Sequence, residues 1–301
     1  MKRADGEHRH GYLVIDKEQG WTSHDVVARV RRLTGVRRVG HAGTLDPAAI
    51  GVLPVAVGNA TKTIEYLSDA SKAYDAEAIL GVETDTYDTE GAVVARADPG
   101  HITRSAVEHA LATFRGEIDQ LPPMHSAVHV GGKRLYHIAR QGQTVDRPLR
   151  SVTINRLEIV DWQLPSVTLH VDCSKGTYIR TLAHDLGEEL GVGAMLAMLV
   201  RTRSGPFVRA DAMSLTDLAR QIDAEPWSAL AYHPDVPLRD LPAVVIDHNA
   251  SMRWRMGQTI ELDLAAAGLH RVYDQTDEWL GIGVYDEPTR RLQPRKVIGE
   301  S

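Results

Sequence analysis

Periodic apolar positions divide most of the chain into helices and strands. Apolar residues between positions 26 and 33 recur on one helical face, and Gly35 is a typical stop, so the pattern predicts a helix that begins at Ser23. Strict alternation predicts a half-buried strand at residues 167–173. The same reasoning predicts strands at residues 11–15 and 73–80, a buried strand or helix start at 50–57, and helices at about 103–115 and 177–190. Because the order has no regular βαβ rhythm, we expect an α+β domain built on a mixed or antiparallel sheet flanked by helices.

The C-terminal part of the chain has a different pattern. Four prolines between Glu225 and Pro242 predict a stiff and poorly helical linker. We therefore expect a disordered N-terminus at residues 1–10, a large domain at 11–235 and a small domain at 240–301. Short apolar runs separated by turn residues predict that the small domain is a β-barrel, with strands at 244–246, 258–262, 270–273, 279–285 and 295–298.

Composition is typical of a globular protein from a reducing compartment. The chain has 301 residues, of which 43% are hydrophobic, and this is enough for a full core. It contains no apolar run long enough for a membrane span, and its polar start lacks the apolar centre of a signal peptide. The single cysteine, Cys173, excludes an intramolecular disulfide framework and a multi-cysteine metal site. We therefore expect a cytoplasmic protein that does not associate with membranes.

Charge is distributed unevenly along the chain. The formal net charge of -6 argues against a nonspecific nucleic-acid coat, because such proteins carry excess positive charge. Three segments are nevertheless locally basic, at residues 26–45, 120–151 and 199–210. If these segments converge in space, they form a phosphate-binding face on an otherwise acidic protein. If they do not, each of them is an ordinary solvated surface.

Asp46 directly follows the first basic segment, which contains five arginines and no acidic residue. Pro47 disfavours the helical conformation for Asp46 and Gly43 permits a turn that other residues resist, so the pattern presents this carboxylate outward from a loop. A lone Asp-Pro pair more often caps a turn, but the basic surroundings favour a reactive group. The sequence lacks metal-ligand spacings, a Gly-x-Ser-x-Gly turn and the glycine patterns of phosphate or dinucleotide loops. A carboxylate that acts without metal or cofactor remains.

A longer motif surrounds this carboxylate. The sequence of residues 43–54, beginning Gly-Thr-Leu-Asp-Pro, closely resembles the catalytic motif of the bacterial tRNA pseudouridine synthase B family, whose members isomerise the T-loop uridine at tRNA position 55. The resemblance covers residues 11–207, and the tail is similar to the family's small PUA-like RNA-binding barrel. Further matches follow in the family's order: Asp16-Lys17, Gly20-Trp21-Thr22-Ser23, Lys72-Ala73-Tyr74, Leu80-Gly81, Thr84-Asp85-Thr86, Gln120, Pro122-Pro123, Ser126-Ala127 and Ser174 to Arg180.

The resemblance implies a cofactor-free isomerisation centred on Asp46. The reaction breaks the N-glycosidic bond of a uridine, turns the uracil and rejoins it through carbon, so it needs neither a redox agent nor added atoms. By similarity, Asp46 either attacks the substrate covalently or assists a glycal route, and the sequence leaves both routes open. Arg180 is expected to keep Asp46 ionised through an ion pair. Tyr74 is expected to stack on the flipped uracil and is a candidate for moving a proton.

The resemblance also implies a substrate pocket and a tRNA partner. Tyr178 would line the pocket, Leu199 would form an apolar wall and His41 would occupy space near the vacated stack. Lys17, from the first matching motif, would contact the substrate. Without the motifs, both tyrosines and the leucine are more often core residues. The expected partner is the T-arm of tRNA, and we expect a monomer that needs no metal and no protein partner.

Several basic residues are predicted to contact the RNA backbone. The chain also departs from the family pattern at Glu18, where proline is usual, and at His125 and His129, where tyrosine and lysine are common. The two histidines would make RNA binding more dependent on pH. Two other classes of function stay open, namely a noncatalytic RNA chaperone that uses the same basic face and a hydrolase that releases free uracil. The predicted backbone contacts are Arg31, Arg37, Arg38, Lys133, Arg140 and Arg201.

Overall fold

The structure is a computed structural model that describes residues 10–124, 129–130, 133–134 and 145–298, with the two short segments described by their backbone alone. The predictions for Arg140, His125 and the side chains of Lys133 and His129 lie outside the described residues. So does the predicted N-terminal disorder, except at His10, which is half-buried and accepts a hydrogen bond from the backbone of Asn59. His10 is therefore part of the fold.

Helices and strands alternate irregularly along the chain. The helices are α1 (Ser23–Thr34), α2 (Ile64–Asp69), α3 (Arg104–Leu111), α4 (Ile179–Glu189), α5 (Leu215–Ile222), α6 (Trp227–Leu230) and α7 (His248–Arg255). The strands are β1 (Gly11–Lys17), β2 (Val39–His41), β3 (Ile50–Val57), β4 (Lys72–Leu80), β5 (Val82–Thr84), β6 (Val93–Arg96), β7 (Gly116–Gln120), β8 (His129–Val130), β9 (Lys133–Arg134), β10 (Arg150–Gln163), β11 (Ser166–Cys173), β12 (Ala194–Ser204), β13 (Phe207–Val208), β14 (Ala243–Ile246), β15 (Ile260–Glu261), β16 (Gly268–Asp274), β17 (Trp279–Asp286) and β18 (Arg291–Val297).

A large mixed sheet forms the centre of the first part of the chain. Its strand order is β1-β3-β12-β4-β11-β10-β7, with β2 paired to β3 and β13 paired to β12. The neighbours in this order are antiparallel except β3 and β12, which run parallel. The predicted α+β class with a mixed sheet is therefore confirmed.

Two apolar clusters pack against this sheet and meet at two shared side chains. One cluster joins residues of α3 and α4 to β4, β10 and β11, and the other joins residues of α1 and α5 to β1 and β3. Tyr74 and Leu199 are half-buried and pack against both clusters. These two side chains therefore lie where the two halves of the core meet.

The helix ends follow from local sequence. The side chain of Thr22 accepts from the backbone of Asp25 and the carboxylate of Asp25 accepts in return, so α1 begins with a capping box. Gly35 ends α1 at a φ of 69°, as the sequence predicts. For α3, the side chain of Thr103 caps the helix by accepting from the backbone of Ala106.

The predicted linker is packed into the fold. It contains α6 and a short 3-10 helix, and Tyr232 exchanges two backbone hydrogen bonds of 2.8 Å with Tyr12 in the first strand of the large sheet. Ala231 and Val236 are buried in the core. The predicted linker is therefore packed against the large sheet, because its apolar residues find partners there.

The C-terminal residues form a curled sheet rather than a run of isolated strands. The order is β14-β16-β17-β18-β15, and the strands overlap the predicted ones, so the small PUA-like β-domain is confirmed. Helix α7 escaped the sequence analysis, although it supplies Trp254, which is fully buried and donates to the carbonyl of Leu280 at 3.0 Å. A Cβ at Gly283 would lie 2.8 Å from the Trp254 ring, so only glycine fits against this indole.

Asp235 links the packed segment to the C-terminal sheet. Its carboxylate accepts hydrogen bonds from Arg271 at 3.2 Å and from the hydroxyl of Tyr273, and it also contacts His233. Burial alone would raise the pKa of Asp235. The hydrogen bonds from His233 and Tyr273 and the charge of Arg271 outweigh burial and lower this pKa to about 2. No helix in the described part of the chain is long and apolar enough to cross a membrane.

Candidate active site

Hydrogen bonds from neighbouring residues hold the loop that carries Asp46. Gly43 has a φ of 96°, which L-residues rarely adopt, and this begins the turn. Ser23 accepts from the amide of Leu45 at 2.9 Å and donates to its carbonyl at 3.1 Å. The amide of Gly20 donates to the carbonyl of Pro47 at 2.9 Å. The backbone of the loop is therefore fixed while the Asp46 side chain points outward.

Asp46 and Arg180 form an ion pair that is partly exposed to solvent. Arg180 Nη2 lies 3.0 Å from Asp46 Oδ2, across 134 positions of sequence, and the Asp46 side chain is 49% exposed. The Arg180 side chain is only 11% exposed. The expected ion pair is present, and it leaves the carboxylate accessible to a substrate. The catalytic roles of both residues stay predictions.

A second carboxylate, which sequence reasoning missed, holds the other side of Arg180. Asp88 Oδ2 lies 3.1 Å from Arg180 Nη1, and the Asp88 side chain is 14% exposed. Its other oxygen accepts from the hydroxyl of Thr86 at 2.6 Å and from the amide of Glu90 at 3.0 Å. The only signal was an acid close after a matching Thr-Asp-Thr segment, in a turn where solvated acids are common. Arg180 therefore bridges an exposed carboxylate and an enclosed one.

Tyr74 lies in β4 at the junction of the two apolar clusters. It pairs with Val171 on one side and Arg201 on the other, so all three side chains lie on the same face of the sheet. Burial raises the pKa of the Tyr74 phenol, and the charge and hydrogen bond of Arg201 oppose this shift. The net pKa is above the ordinary value of 10.0, so the phenol carries its proton near neutral pH. Asp46 is close enough to be coupled to it electrostatically.

Tyr178 stands at the N-cap of α4, two positions before Arg180. The buried side chain of Gln120 holds its backbone, because Gln120 accepts from the Tyr178 amide at 2.9 Å and donates to the Tyr178 carbonyl at 3.2 Å. Tyr178 is half-buried, as is Leu199 on β12. Gln120 thus fixes the backbone at the start of α4, two positions before Arg180.

His41 lies in β2, next to the start of the Asp46 loop. Its ring makes an edge-to-face contact with His24 in α1, with centroids 5.4 Å apart. Burial, His24 and Arg201 together lower the pKa of His41 below its ordinary value of 6.5. His41 is therefore a neutral imidazole at neutral pH, which suits a group that fills apolar space between bases.

Lys17 was predicted to contact the substrate, and the structure shows that this prediction is wrong. Its side chain is fully buried, and Nζ donates to the carbonyls of Trp21 at 2.7 Å, Glu18 at 3.1 Å and Pro47 at 3.2 Å. An ammonium group has three protons, so these carbonyls satisfy it. Lys17 therefore supports the Asp46 loop from inside the protein.

Arg201 was predicted to contact the RNA backbone, and this prediction is also wrong. The residue is 1% exposed. Its guanidinium donates to the carbonyl of Val52 at 2.7 Å, of Gly43 at 3.1 Å and of Thr44 at 3.3 Å. A charged residue in a strand usually indicates exposure, but here the carbonyls of a turned loop supply an internal set of acceptors.

Three other predicted RNA contacts are accessible. Arg31, Arg37 and Arg38 are exposed at the end of α1 and in the turn that follows it. Arg31 donates to the carbonyl of Arg37 at 3.1 Å, which orders this turn. Of the three basic segments, the first therefore offers its charge to solvent, the third contributes Arg201 to the interior, and residues 125–144 of the second lie outside the described side chains.

Comparisons with known proteins identify the family of this chain. Three family models match the chain: "TruB family pseudouridylate synthase (N terminal domain)" at residues 31–179, "tRNA pseudouridylate synthase B C-terminal domain" at 180–233, and "Pseudouridine synthase II TruB, C-terminal" at 242–298. The fold and the three matched family models place this chain in the class of pseudouridylate synthases.

Individual relatives show which family within this class the chain belongs to. The tRNA pseudouridine synthase B of Symbiobacterium thermophilum is 52% identical over 259 residues, which cover 84% of this chain and 85% of the relative. The enzyme of the same name from Trichormus variabilis is 44% identical over 280 residues, or 91% and 94% of the two chains. A solved Cbf5-Nop10-Gar1 complex contains a chain of similar fold, with a TM-score of 0.74 and 27% identity over 96% of this chain and 85% of the other. The chain belongs to the tRNA pseudouridine synthase B family.

Proposed function

We propose that this protein isomerises uridine to pseudouridine at position 55 in the T-loop of tRNA. The observation that carries the proposal is the exposed Asp46 carboxylate, which is paired with the enclosed Arg180. Tyr74 is half-buried where the two apolar clusters of the core meet. Relatives at 44% and 52% identity bear the name of this activity. The name and the site geometry therefore support the same reaction.

The reaction balances without a cofactor. The N1–C1′ bond of the uridine breaks, a C5–C1′ bond forms, C5 loses a proton and N1 gains one. Asp46 is the group that attacks covalently or assists a glycal route, and its exposed oxygen is free to approach the sugar or the base. Arg180 fixes the direction of this carboxylate, and Asp88 fixes Arg180 in turn.

The target nucleotide has to leave the T-loop stack to reach Asp46. Extrusion costs a few kcal/mol, and stacking of the flipped base on an aromatic ring returns roughly 1–3 kcal/mol. Tyr74 is the stacking ring, Tyr178 lines the pocket and Leu199 is its apolar wall. His41 fills the space that the base vacates, for which its neutral imidazole is suited.

The partner is the T-arm of tRNA, which binds to the exposed arginines of α1 and of the turn that follows it. Arg31, Arg37 and Arg38 meet backbone phosphates there. The chain acts as a monomer in the cytoplasm, where tRNA is modified. Sedimentation at micromolar concentration tests the monomer, because a dimer would sediment faster and contradict it.

Tritium release from T-arm RNA that carries 5-tritiated uridine tests the activity, since C5 loses its hydrogen only if the new bond forms. The wild type should release tritium, Asp46→Asn should not, and both should bind the RNA equally. Asp161→Asn, which changes an exposed carboxylate in β10, serves as the control and should match the wild type. Tritium release by Asp46→Asn refutes the catalytic assignment. RNA binding without release by the wild type indicates a chaperone, and free uracil indicates a hydrolase.

A further inference from the structure

Arg201 is a buried cation without an acidic partner. Among the side chains that the structure describes, no carboxylate lies within ion-pair distance of its guanidinium. Burying an unpaired charge is unfavourable unless hydrogen bonds satisfy it. The acceptors that do so here are the carbonyls of Val52, Gly43 and Thr44. The positions of these acceptors show what the charge holds together.

Arg201 joins the catalytic loop to the strand that carries Tyr74. It donates to the carbonyls of Gly43 and Thr44, which precede Asp46 by three and two positions. Tyr74 stands directly opposite Arg201 in the pairing of β4 and β12, so the residue that holds the loop is also paired with the strand that carries Tyr74. The backbone of Arg201 is equally confined. Gly51 faces it in β3, and a Cβ at Gly51 would come within 2.3 Å of the Arg201 carbonyl oxygen.

We propose that Arg201 is a positioning residue for the isomerisation, one that fixes the distance between the Asp46 loop and the hydroxyl of Tyr74. The inference rests on the proposed function, because both of these groups face the flipped uracil in that reaction. A fixed distance matters because the sugar and the base must be addressed at the same time while the uracil turns. Misplacement of a reacting group by about 1 Å can cost on the order of a hundredfold in rate.

The charge of Arg201 also acts on the proton of Tyr74. Burial raises the pKa of this phenol, and Arg201 is the largest opposing influence. Removal of the guanidinium would therefore raise the pKa further. The other titratable groups coupled to this pair are Asp46 in the loop, Cys173 on β11, Lys72 on β4, Lys17 on β1 and His41 on β2.

Arg201→Lys is the first test, because lysine keeps the charge and lacks the planar set of donors. Arg203→Lys is the matched control, since Arg203 lies on the same strand but bonds Ser71 and Asp172. Both variants are compared with the wild type by single-turnover tritium release at saturating enzyme, which reports the rate, and separately by RNA binding.

Arg201→Lys should bind T-arm RNA about as tightly as the wild type and release tritium roughly 10- to 100-fold more slowly. Arg203→Lys should match the wild type in both. A normal rate in Arg201→Lys overturns the proposal, as does a defect confined to RNA binding. Absence of release by the wild type would instead refute the proposed function.

A second measurement covers the case in which Arg201→Lys does not fold. Tyr74→Phe removes only the phenol oxygen and leaves Arg201 in place. In protein labelled with 15N-arginine, one slowly exchanging guanidinium resonance should shift in Tyr74→Phe, because the Arg201 guanidinium loses a polar neighbour. Unchanged guanidinium resonances would show that Arg201 is not tied to Tyr74 and would overturn the proposal.

Discussion

Asp88→Asn tests whether the enclosed carboxylate holds Arg180 in its working position. The substitution keeps the shape and removes the charge. One Asp88 oxygen accepts from Thr86 and from the amide of Glu90, and the other accepts from Arg180. The amide nitrogen of asparagine must therefore face either the Glu90 amide or the Arg180 guanidinium, and both are donors. One good acceptor disappears in either orientation.

The size of the effect follows from the burial of the pair. A hydrogen bond to a charged group contributes about 1.5–3 kcal/mol, and the side chains of Arg180 and Asp88 are only 11% and 14% exposed, so screening by water is weak. If this energy positions Arg180 for the reaction, the tritium-release rate should fall by about 10- to 150-fold, since each 1.36 kcal/mol is a factor of ten.

Single-turnover tritium release with saturating enzyme measures this rate, and filter binding measures RNA affinity separately. Asp85→Asn is the control, because Asp85 lies in the same turn, is exposed and bonds the amide of Ala92. The reasoning fails if Asp88→Asn reacts as fast as Asp85→Asn, or if its slower reaction disappears at higher RNA concentration.

Three further perturbations probe other parts of the structure. Lys17→Met should leave the Pro47 carbonyl and its neighbours unsatisfied, lower the free energy of unfolding by about 1–3 kcal/mol and slow tritium release; urea unfolding beside the same assay checks it, and unchanged values in both contradict it. Asp235→Asn should lower the free energy of unfolding at pH 7 by about 2 kcal/mol. Because the folded pKa of Asp235 is about 2 and its ordinary value is 3.8, this stability is present above about pH 4 and is lost as pH falls to about 2, so urea unfolding at several pH values should show the two proteins converging there. Replacing both Arg37 and Arg38 by alanine should reduce the slope of log affinity against log salt by about one for each phosphate that the variant no longer binds, and an unchanged slope would place these arginines away from the RNA.

Local sequence was sufficient for the elements whose cause is local. The apolar stripe and Gly35 define α1, and alternation defines the strand that ends at Cys173, because periodicity and helix caps depend on neighbouring residues. The outward turn at Asp46 also follows from Gly43, which permits the turn, and from Pro47, which restricts the backbone of Asp46. Neither effect needs distant residues. Where the chain resembles a known family, the expected ion pair with Arg180 was placed correctly as well.

Only the tertiary structure determined which charged residues are buried and which partners they have. Asp88 precedes Arg180 by 92 positions, and no local pattern indicates that the two meet. Lys17 and Arg201 are residue types that usually lie at the surface. In this fold, however, they are buried and donate their hydrogen bonds to backbone carbonyl groups. A charge can be buried only when acceptors from several elements converge on it. The sequence therefore determined which carboxylate is exposed on the loop, and the assembled fold determined which charges hold it there.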